Sequence, residues 1–384
     1  MAGSVIVNNP EPQVETLVDL DAIAHNVRIL TEHAGDAAVM AVVKADGYNH
    51  GAIEVARAAL AAGARELGVT TVPEAVALRA AGITAPILCW LNTSDADFAP
   101  AVAADIELAV SSLAHLDAVA AAARQTGRTA TVSLKVDTGL NRNGVPQAEY
   151  PQVLRRLNQL IAEEAVRFRA IFSHLALADE PQHPVNDMQR DRFLEFIATA
   201  KEHGLQPELV HLANSAAALT RPDLAFDMVR PGIAVYGLSP VPEISDFGLR
   251  PAMTFRSRVI LVKDVAAGEG ISYGHQWIAD RGTTVALIPA GYADGVPRNL
   301  SGRISVWLGG ARRPNRGRIC MDQLVVDLGD NAAGVREGDL AILFGAGPEV
   351  PAAQEWADLL GTINYEIVCG PRGRVTRDYI GGRR

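Results

Sequence analysis

Short apolar runs alternate with helical segments along the first 235 residues of this chain, and this alternation is the strongest constraint on its fold. The runs are too short for buried helices. Continuous apolar runs of this length are typical of strands buried in a parallel sheet. They span residues 39–43, 66–69, 86–90, 106–110, 130–136, 168–172, 208–212 and 228–235. About eight strand and helix alternations predict an α/β fold in which a closed, TIM-like (β/α)8 barrel forms the N-terminal domain.

The pattern changes near Pro240. From residue 251 onward, Gly and Asp separate runs of alternating or apolar β character, which predicts an all-β C-terminal domain. The runs span residues 253–262, 284–289, 304–308, 324–328 and 340–344, and a helical segment follows at 352–360. We predict a flexible tail at 1–13, a barrel at 14–248 with an early strand at 14–18, and a mainly β-strand domain at 249–384, joined by a linker at 239–249.

Composition and charge exclude several classes of protein. The net charge of -9 argues against a nucleic-acid partner, and we expect the basic run of Arg312, Arg313, Arg316 and Arg318 to be a solvated turn. No basic leader and no apolar run of membrane-spanning length is visible, which predicts a cytoplasmic protein without membrane contact. The three cysteines form no CxxC pair, as expected in a reducing compartment, and we expect no metal site.

Lys44 lies at the end of the buried run 39–43 and is followed by turn residues and a helix that begins near Ile53. Ligands bind at the carboxyl ends of strands in parallel sheets and barrels. Burial disfavours an ammonium, so a lysine held there loses its proton more easily and can act as a nucleophile. A solvated lysine is the alternative, against which we weigh the tyrosine, histidine and glycines that follow.

Other polar residues also fall at or near the carboxyl ends of predicted strands. Together with Lys44 they are Lys135, Arg142, His174, His211, Asn214, Ser215 and Arg230. Any single histidine or arginine among them could be structural. Barrel active sites are assembled at this rim, so the shared position of these residues predicts a site there.

The segment Val43-Lys44-Ala45-Asp46-Gly47-Tyr48-Asn49-His50-Gly51 resembles the cofactor-lysine motif of the alanine racemases, which bind pyridoxal 5'-phosphate (PLP). It is most similar to the actinobacterial, mycobacterial type. The family usually has Asn-Ala-Tyr-Gly-His-Gly after the lysine and alanine, and this chain differs at Asp46, Gly47 and Asn49. Asn tolerates a left-handed backbone, so we expect the turn to be kept.

Segments of the C-terminal domain resemble the family as well, so the similarity covers almost the whole chain. They contain Tyr273, Tyr292, Cys320, Met321, Asp322 and Tyr365. The resemblance implies that Lys44 binds PLP covalently and that Lys44 and Tyr273 are the two bases, on the D and L sides of the substrate. It also implies a head-to-tail homodimer in which Tyr273 of one subunit reaches Lys44 of the other.

The resemblance assigns roles to the remaining residues. The cofactor would be bound by Lys44, Tyr48, His174, Asn214, Ser215, Arg230, Gly232, Ile233 and Tyr365, and the substrate by Arg142 and Met321, with support from Lys135, His211, Tyr292, Cys320 and Asp322. Positive charge on His174 and Arg142 would lower the pKa of the Tyr273 phenol. Lys135 matches a position that is often carbamylated, and the modified side chain would pair with Arg142.

Arg230 is the most diagnostic of these residues. Many PLP enzymes place a carboxylate against the pyridine nitrogen of the cofactor, whereas an arginine stays charged and cannot accept that proton. If Arg230 lines the ring and His211 orients it, transamination and decarboxylation should be suppressed.

The resemblance therefore implies an isomerase, a PLP-dependent alanine racemase that interconverts L- and D-alanine by a two-base mechanism and supplies D-alanine for peptidoglycan. Alternatives stay open at this point. A broader-specificity amino-acid racemase would share these residues, and a PLP-dependent decarboxylase of the same fold would be expected to have a carboxylate near the ring nitrogen. A PLP carrier or a purely structural barrel would show no turnover.

Overall fold

The computed structural model describes residues 12–382, which divide into two compact units. The first unit contains residues 20–250 and 382, and the second contains residues 12–19 and 251–381. The predicted flexible tail at 1–13 lies outside the described residues except for its last two positions.

The first unit is built from parallel strands that alternate with helices. Its strands are β2 (Ala38–Val42), β3 (Glu66–Val69), β4 (Ile87–Cys89), β5 (Glu107–Val110), β6 (Ala130–Lys135), β7 (Val166–Phe172), β8 (Leu209–His211) and β9 (Met228–Val229). Its helical segments are α1 (Leu20–Ala34), α2 (Lys44–Tyr48), α3 (Ala52–Ala61), α4 (Val72–Ala80), α5 (Ala99–Ala103), α6 (Leu113–Thr126), α7 (Tyr150–Ala162), α8 (Pro184–Glu202) and α9 (Ser215–Thr220), with 3-10 turns at Pro222–Leu224 and Ile233–Tyr236. Each predicted apolar run overlaps one of these strands, although β2 and β7 begin one and two residues earlier than predicted.

The strands follow the order β8-β7-β6-β5-β4-β3-β2-β9, and every pair is parallel. Backbone hydrogen bonds connect β8 and β9, the first and last strands of this order, and so close the barrel. Asp227 N donates to Val210 O over 3.1 Å, and Arg230 N donates to Ala213 O over 2.9 Å. A buried apolar cluster contains Met40, Leu88, Phe172 and Met228. The predicted (β/α)8 barrel is confirmed, and the carboxyl ends of its strands meet at one rim.

The last apolar run, 228–235, was predicted as one strand, but β9 ends at Val229 and a 3-10 turn follows at Ile233–Tyr236. Pro231 has no N–H to donate to a strand ladder, so the strand cannot continue through it. The turn directly after β9 therefore positions Gly232 and Ile233 next to the rim.

The second unit is mainly β structure, as predicted. Its strands are β1 (Val14–Asp19), β10 (Met253–Arg258), β11 (Leu261–Val265), β12 (Gly270–Ile271), β13 (Trp277–Ile278), β14 (Thr283–Ile288), β15 (Ser305–Leu308), β16 (Ala311–Arg316), β17 (Leu324–Gly329), β18 (Leu340–Phe344) and β19 (Thr376–Ile380). Helices α10 (Ala353–Leu360) and α11 (Asn364–Val368) and 3-10 turns at Tyr273–His275, Tyr292–Asp294 and Arg298–Leu300 complete it. The main sheet has the order β11-β14-β17-β16-β15-β18-β10-β1-β19, and β12 pairs with β13 separately.

Strand β1 corrects the predicted barrel boundary at residue 14. The strand exists, but it pairs with β10 on one side and β19 on the other, so it belongs to the second unit. A short apolar run indicates a strand without indicating its partners, and both partners here lie far along the chain. The later change of unit falls between Arg250 and Pro251 rather than between residues 248 and 249.

The basic run was predicted to be a solvated turn, and this prediction is wrong. Arg312, Arg313 and Arg316 lie in strand β16. Arg312 pairs with Glu355 at 2.7 Å and Arg316 pairs with Asp327 at 3.3 Å. The sequence analysis did not predict β16, because its successive charged residues produce no apolar alternation. Acidic partners on the same unit thus neutralise part of the run.

Across residues 12–382, every helix is too short or too polar to cross a lipid bilayer.

Candidate active site

The barrel rim carries the predicted residues of the first unit. Lys135 is the last residue of β6 and His211 the last of β8, Arg230 directly follows β9, and Lys44 and His174 lie just beyond β2 and β7. Arg142 lies in the loop after β6, and Asn214 and Ser215 begin α9. Because these strands are parallel neighbours in one barrel, the side chains converge on the same rim.

Lys44 is followed by a turn of left-handed backbone. Ala45, Asp46, Gly47, Tyr48 and Asn49 have positive φ angles between 49° and 64°. This conformation costs an L-residue about 1–2 kcal/mol, so the surroundings must hold it. Part of that support is Asp46 Oδ1, which accepts a hydrogen bond from Ala52 N over 2.9 Å at the start of α3. The expected turn is present, with Asn49 left-handed.

Tyr48 packs against Tyr236 and Gly232. The Tyr48 and Tyr236 ring centroids are 4.8 Å apart, and the Tyr236 phenol donates to Val42 O over 2.8 Å. A Cβ added to Gly232 would lie 2.2 Å from Tyr48 Oη, so only glycine leaves room for this phenol. Lys44 Nζ lies 5.9 Å from the centroid of the Tyr48 ring. The residues predicted to bind the cofactor are therefore close together here.

Ser215 and Gly232, two residues predicted to bind the cofactor, also lie together. Ser215 is buried, and its Oγ accepts from Gly232 N over 2.8 Å and from Ala234 N over 3.4 Å. Asn214 Oδ1 accepts from Ala217 N over 3.1 Å and caps α9. Because the Ser215 hydroxyl accepts these two N–H groups, its own O–H can donate to an anion.

Arg230 is buried, and within residues 12–382 its guanidinium donates to neutral acceptors. It donates to His211 Nδ1 over 2.8 Å, to Ser173 O over 2.6 Å and to Leu212 O over 3.2 Å. Burial lowers the pKa of Arg230 to about 9, so it is still charged at neutral pH. Because His211 accepts at Nδ1, its proton lies on Nε2. Burial and then the Arg230 charge hold the pKa of His211 well below its ordinary value. The expected contact between these two residues is present.

Lys135 is buried and donates to Asn143 Oδ1 over 2.6 Å. Burial, followed by the charges of Arg230, Arg142 and Lys44, lowers the pKa of Lys135 to about 7. A large fraction of its amine is therefore neutral at neutral pH, which is the form that adds carbon dioxide. Carbamylation of Lys135 stays a prediction, and this pKa gives it a physical basis.

His174 lies among the same cations. Burial, followed by the charges of Arg230, Lys135, Arg142 and Lys44, holds the pKa of His174 well below its ordinary value. A neutral imidazole does not supply the positive charge predicted for it. That role stays a prediction for Arg142, whose side chain is exposed.

The remaining predicted residues lie in the second unit, where a buried carboxylate joins their loops. Asp294 accepts from Arg374 Nε over 2.8 Å and from Arg374 Nη2 over 3.0 Å. The same arginine donates to Asp322 over 2.7 Å. Bidentate pairs are directional, so this network orients the loops that carry Tyr292 and Met321. Tyr292 N also donates to Cys320 O over 3.0 Å.

The two other predicted tyrosines of this unit differ in exposure. Tyr273 is 71% exposed, and it follows Ser272, whose φ is 63° and whose Oγ donates to Arg318 O over 2.8 Å. Tyr365 is half-buried in α11, and this helix and Tyr292 line a cavity of about 430 Å³. The exposed phenol of Tyr273 therefore stands on a backbone that is held in place.

Several residues that contact predicted residues or their loops within each unit were not predicted. They are Glu74, Asn143, Tyr236, Asp294 and Arg374. Tyr236 directly follows an apolar run and is indistinguishable from a core residue in sequence. Glu74 had a usable signal, because Thr71-Val72-Pro73-Glu74 has the capping-box pattern of a helix start.

We expect Gly232→Ala to destabilise the protein by about 1–3 kcal/mol, because the new methyl group overlaps the Tyr48 phenol. Urea unfolding of the purified protein measures this loss. Gly282→Ala is the control, since its Cβ would meet Val265 O only at 4.0 Å, and its effect should stay within about 0.5 kcal/mol. Combined with Tyr48→Phe, Gly232→Ala should cost less than the two single changes add up to. Strict additivity would contradict the contact.

Comparison with known proteins gives a consistent result over almost the whole chain. Residues 18–240 match the family model described as alanine racemase, N-terminal domain, and residues 252–379 match the model of the C-terminal domain. The chain is 60% identical over 380 residues to an alanine racemase of Mycobacterium avium, covering 99% of this chain and 98% of that relative. It is 60% identical over 375 residues to an alanine racemase of Mycobacterium tuberculosis, covering 97% and 98%.

Solved structures agree with these relatives. The crystal structure of alanine racemase from D-cycloserine producing Streptomyces lavendulae has a TM-score of 0.94 at 48% identity, over 97% of this chain and 98% of that one. Alanine racemase from Streptomyces coelicolor A3(2) has a TM-score of 0.93 at 47% identity, over 96% and 98%. With both domains matched and the predicted residues at the rim, this chain belongs to the alanine racemase family.

Proposed function

We propose that this chain is a PLP-dependent enzyme that interconverts L-alanine and D-alanine. The relatives named above are alanine racemases. The observation that carries the proposal for this chain is the buried Arg230 guanidinium, bonded to neutral groups, at the same rim as the Lys44 amine.

The residues present fit PLP. Gly232 leaves a space that the Tyr48 phenol occupies and that a Cβ would fill. The Ser215 hydroxyl beside it accepts from Gly232 N over 2.8 Å and keeps its own O–H, which can donate to a phosphate. The rim also gathers positive charge, since Arg230, Lys135, Arg142 and Lys44 all lower the pKa of His174. An anionic cofactor would balance these charges, which are costly to bury alone. Tyr48, Ile233 and Tyr365 complete the proposed binding residues.

PLP, when bound, supplies an electron sink that acidifies the Cα–H of an amino acid attached to it. Racemisation then needs one group to remove a proton from one face of Cα and another to deliver a proton to the other face. We assign the D face to the Lys44 amine and the L face to the Tyr273 phenol. Arg142 and the backbone at Met321 would hold the substrate carboxylate, and the guanidinium of Arg142 has the planar geometry for it.

Arg230 sets the choice of reaction. Its guanidinium has no basic lone pair at neutral pH, so it can donate to the ring nitrogen but cannot leave a proton there. This limits the electron demand of the ring and disfavours decarboxylation and transamination. The same observation argues against the decarboxylase alternative, which would need a carboxylate at this position.

We further propose a head-to-tail homodimer with shared sites. A phenol that moves protons at Cα must be shielded from bulk water, yet Tyr273 is 71% exposed and Met321 is 55% exposed in the single chain. A second copy that covers Tyr273 and brings it to the partner's Lys44 would supply that shielding. We place this activity in the cytoplasm, in the supply of D-alanine for peptidoglycan. Cys89, Cys320 and Cys369 form no disulfide among the described residues, which fits a reducing compartment.

We expect the purified protein with PLP to form D-alanine from L-alanine, measured by chiral chromatography. Lys44→Ala removes both the cofactor attachment and one base, so it should lower the rate by about a thousandfold or more. A panel of larger amino acids separates a strict from a broad racemase, since one methylene discriminates by about 1–3 kcal/mol. Release of carbon dioxide without D-alanine would instead support a decarboxylase.

Two inactive variants should complement each other if the sites are shared. When Lys44→Ala and Tyr273→Phe chains exchange subunits, each hybrid dimer keeps one site with both bases. Equal mixing should therefore restore about a quarter of the wild-type rate. Subunit exchange is verified with two affinity tags. No recovery in a verified hybrid would contradict shared sites.

Replacing Arg230 by Glu tests its role in reaction choice. We expect Arg230→Glu to lower racemisation by about a hundredfold and to raise the proportion of transamination and decarboxylation products. Arg230→Lys is the control, because it keeps a cation at this position while losing the planar fork. Equal product ratios in wild type and Arg230→Glu would contradict the assigned role.

A further inference from the structure

Glu74 connects the start of α4 to the residue that directly follows Lys44. Its Oε1 accepts a hydrogen bond from Ala45 N over 2.7 Å. Its Oε2 accepts from Thr70 N over 2.8 Å and from Thr71 N over 3.0 Å. One carboxylate therefore joins the end of β3 and the start of α4 to the turn after Lys44.

The hydrogen bond to Ala45 N acts on the peptide that joins Lys44 to Ala45. Because a peptide unit is planar, fixing this N–H restricts the carbonyl of Lys44 and the direction in which its side chain leaves the backbone. Ala45 is also the first of the residues with positive φ. Glu74 thus holds the turn at the point where the left-handed backbone begins.

The Glu74 side chain can accept all three hydrogen bonds because it is an ionised carboxylate. Burial raises the pKa of Glu74, but hydrogen bonds from Ala45, Thr71 and Thr70 outweigh it and the net pKa is lowered. An ionised carboxylate accepts at both oxygens, whereas an amide accepts only at one. Glutamine in its place would turn an NH₂ group towards a backbone N–H on one side.

We propose that Glu74 is a positioning residue for Lys44, holding its amine in the geometry needed for attachment to PLP and for proton transfer. This inference rests on the proposed function of Lys44. It predicts that loss of the Ala45 hydrogen bond slows both steps without removing any group that contacts the substrate.

The test compares Glu74→Gln with wild type in cofactor-free protein and in enzyme loaded with PLP. Amide hydrogen exchange at residues 45–52 in the cofactor-free protein should become about tenfold faster or more, because the turn opens more easily. The rate at which added PLP becomes attached to Lys44, followed by absorbance and by borohydride trapping with peptide mapping, should fall about tenfold or more. In loaded enzyme, kcat should fall by a similar factor while KM for alanine changes less than about threefold.

Two further variants control for a purely structural loss. Ser112→Ala removes a helix cap in the same barrel, where Ser112 Oγ accepts from His115 N over 3.2 Å at the start of α6. It should lower thermal stability without changing exchange at 45–52, PLP attachment or kcat. Glu74→Asp keeps the charge but is too short to reach Ala45 N and cap α4 together, so it should share the attachment defect. It also serves if Glu74→Gln does not fold.

The outcomes separate this inference from the proposed function. Wild-type exchange, attachment and kcat in both Glu74 variants would overturn the positioning role. If the wild-type protein never attaches PLP at Lys44, the proposed function fails. Faster amide exchange at residues 45–52 in Glu74→Gln than in wild type would still show that the hydrogen bond from Ala45 N to Glu74 stabilises the turn.

Discussion

The unbalanced charge of Arg230 is the constraint on which the site depends. A second arginine in the same barrel shows the contrast, since Arg169 pairs with the carboxylates of Glu66 and Glu107. Burial would lower the pKa of Arg169, but its two acidic partners raise it above its ordinary value. Arg230 has His211 and two carbonyls instead, and its pKa falls to about 9. Among the described residues, the barrel thus pairs one buried cation with carboxylates and surrounds the one at the rim with neutral acceptors.

The positive charge of Arg230 lowers the pKa of each of three neighbouring basic groups. It helps to keep His211 and His174 neutral, and it adds to the burial that brings the pKa of Lys135 to about 7. A rim of this kind disfavours further protonation and favours anions. Both properties suit a cofactor that carries a phosphate and a substrate that carries a carboxylate.

Strained backbone lies beside both proposed bases. Lys44 is followed by the left-handed turn that begins at Ala45, and Tyr273 follows Ser272, whose φ is 63°. Such conformations persist only where surrounding bonds hold them, and Glu74 and the Ser272 hydroxyl form those bonds. In both units, a hydrogen bond made by a side chain outside the proposed pair of bases therefore holds the backbone next to a proposed base.

Local pattern determined much of this protein. The alternation of apolar runs was sufficient to predict the barrel, and the position of Lys44 and His174 after predicted strands was sufficient to predict a rim site, because both depend on neighbours in sequence. Tertiary structure decided the rest. It assigned β1 to the second unit and joined Glu74 to Ala45. Pairing partners and pKa values depend on groups that only folding brings together, so a single sequence does not encode them in any local pattern.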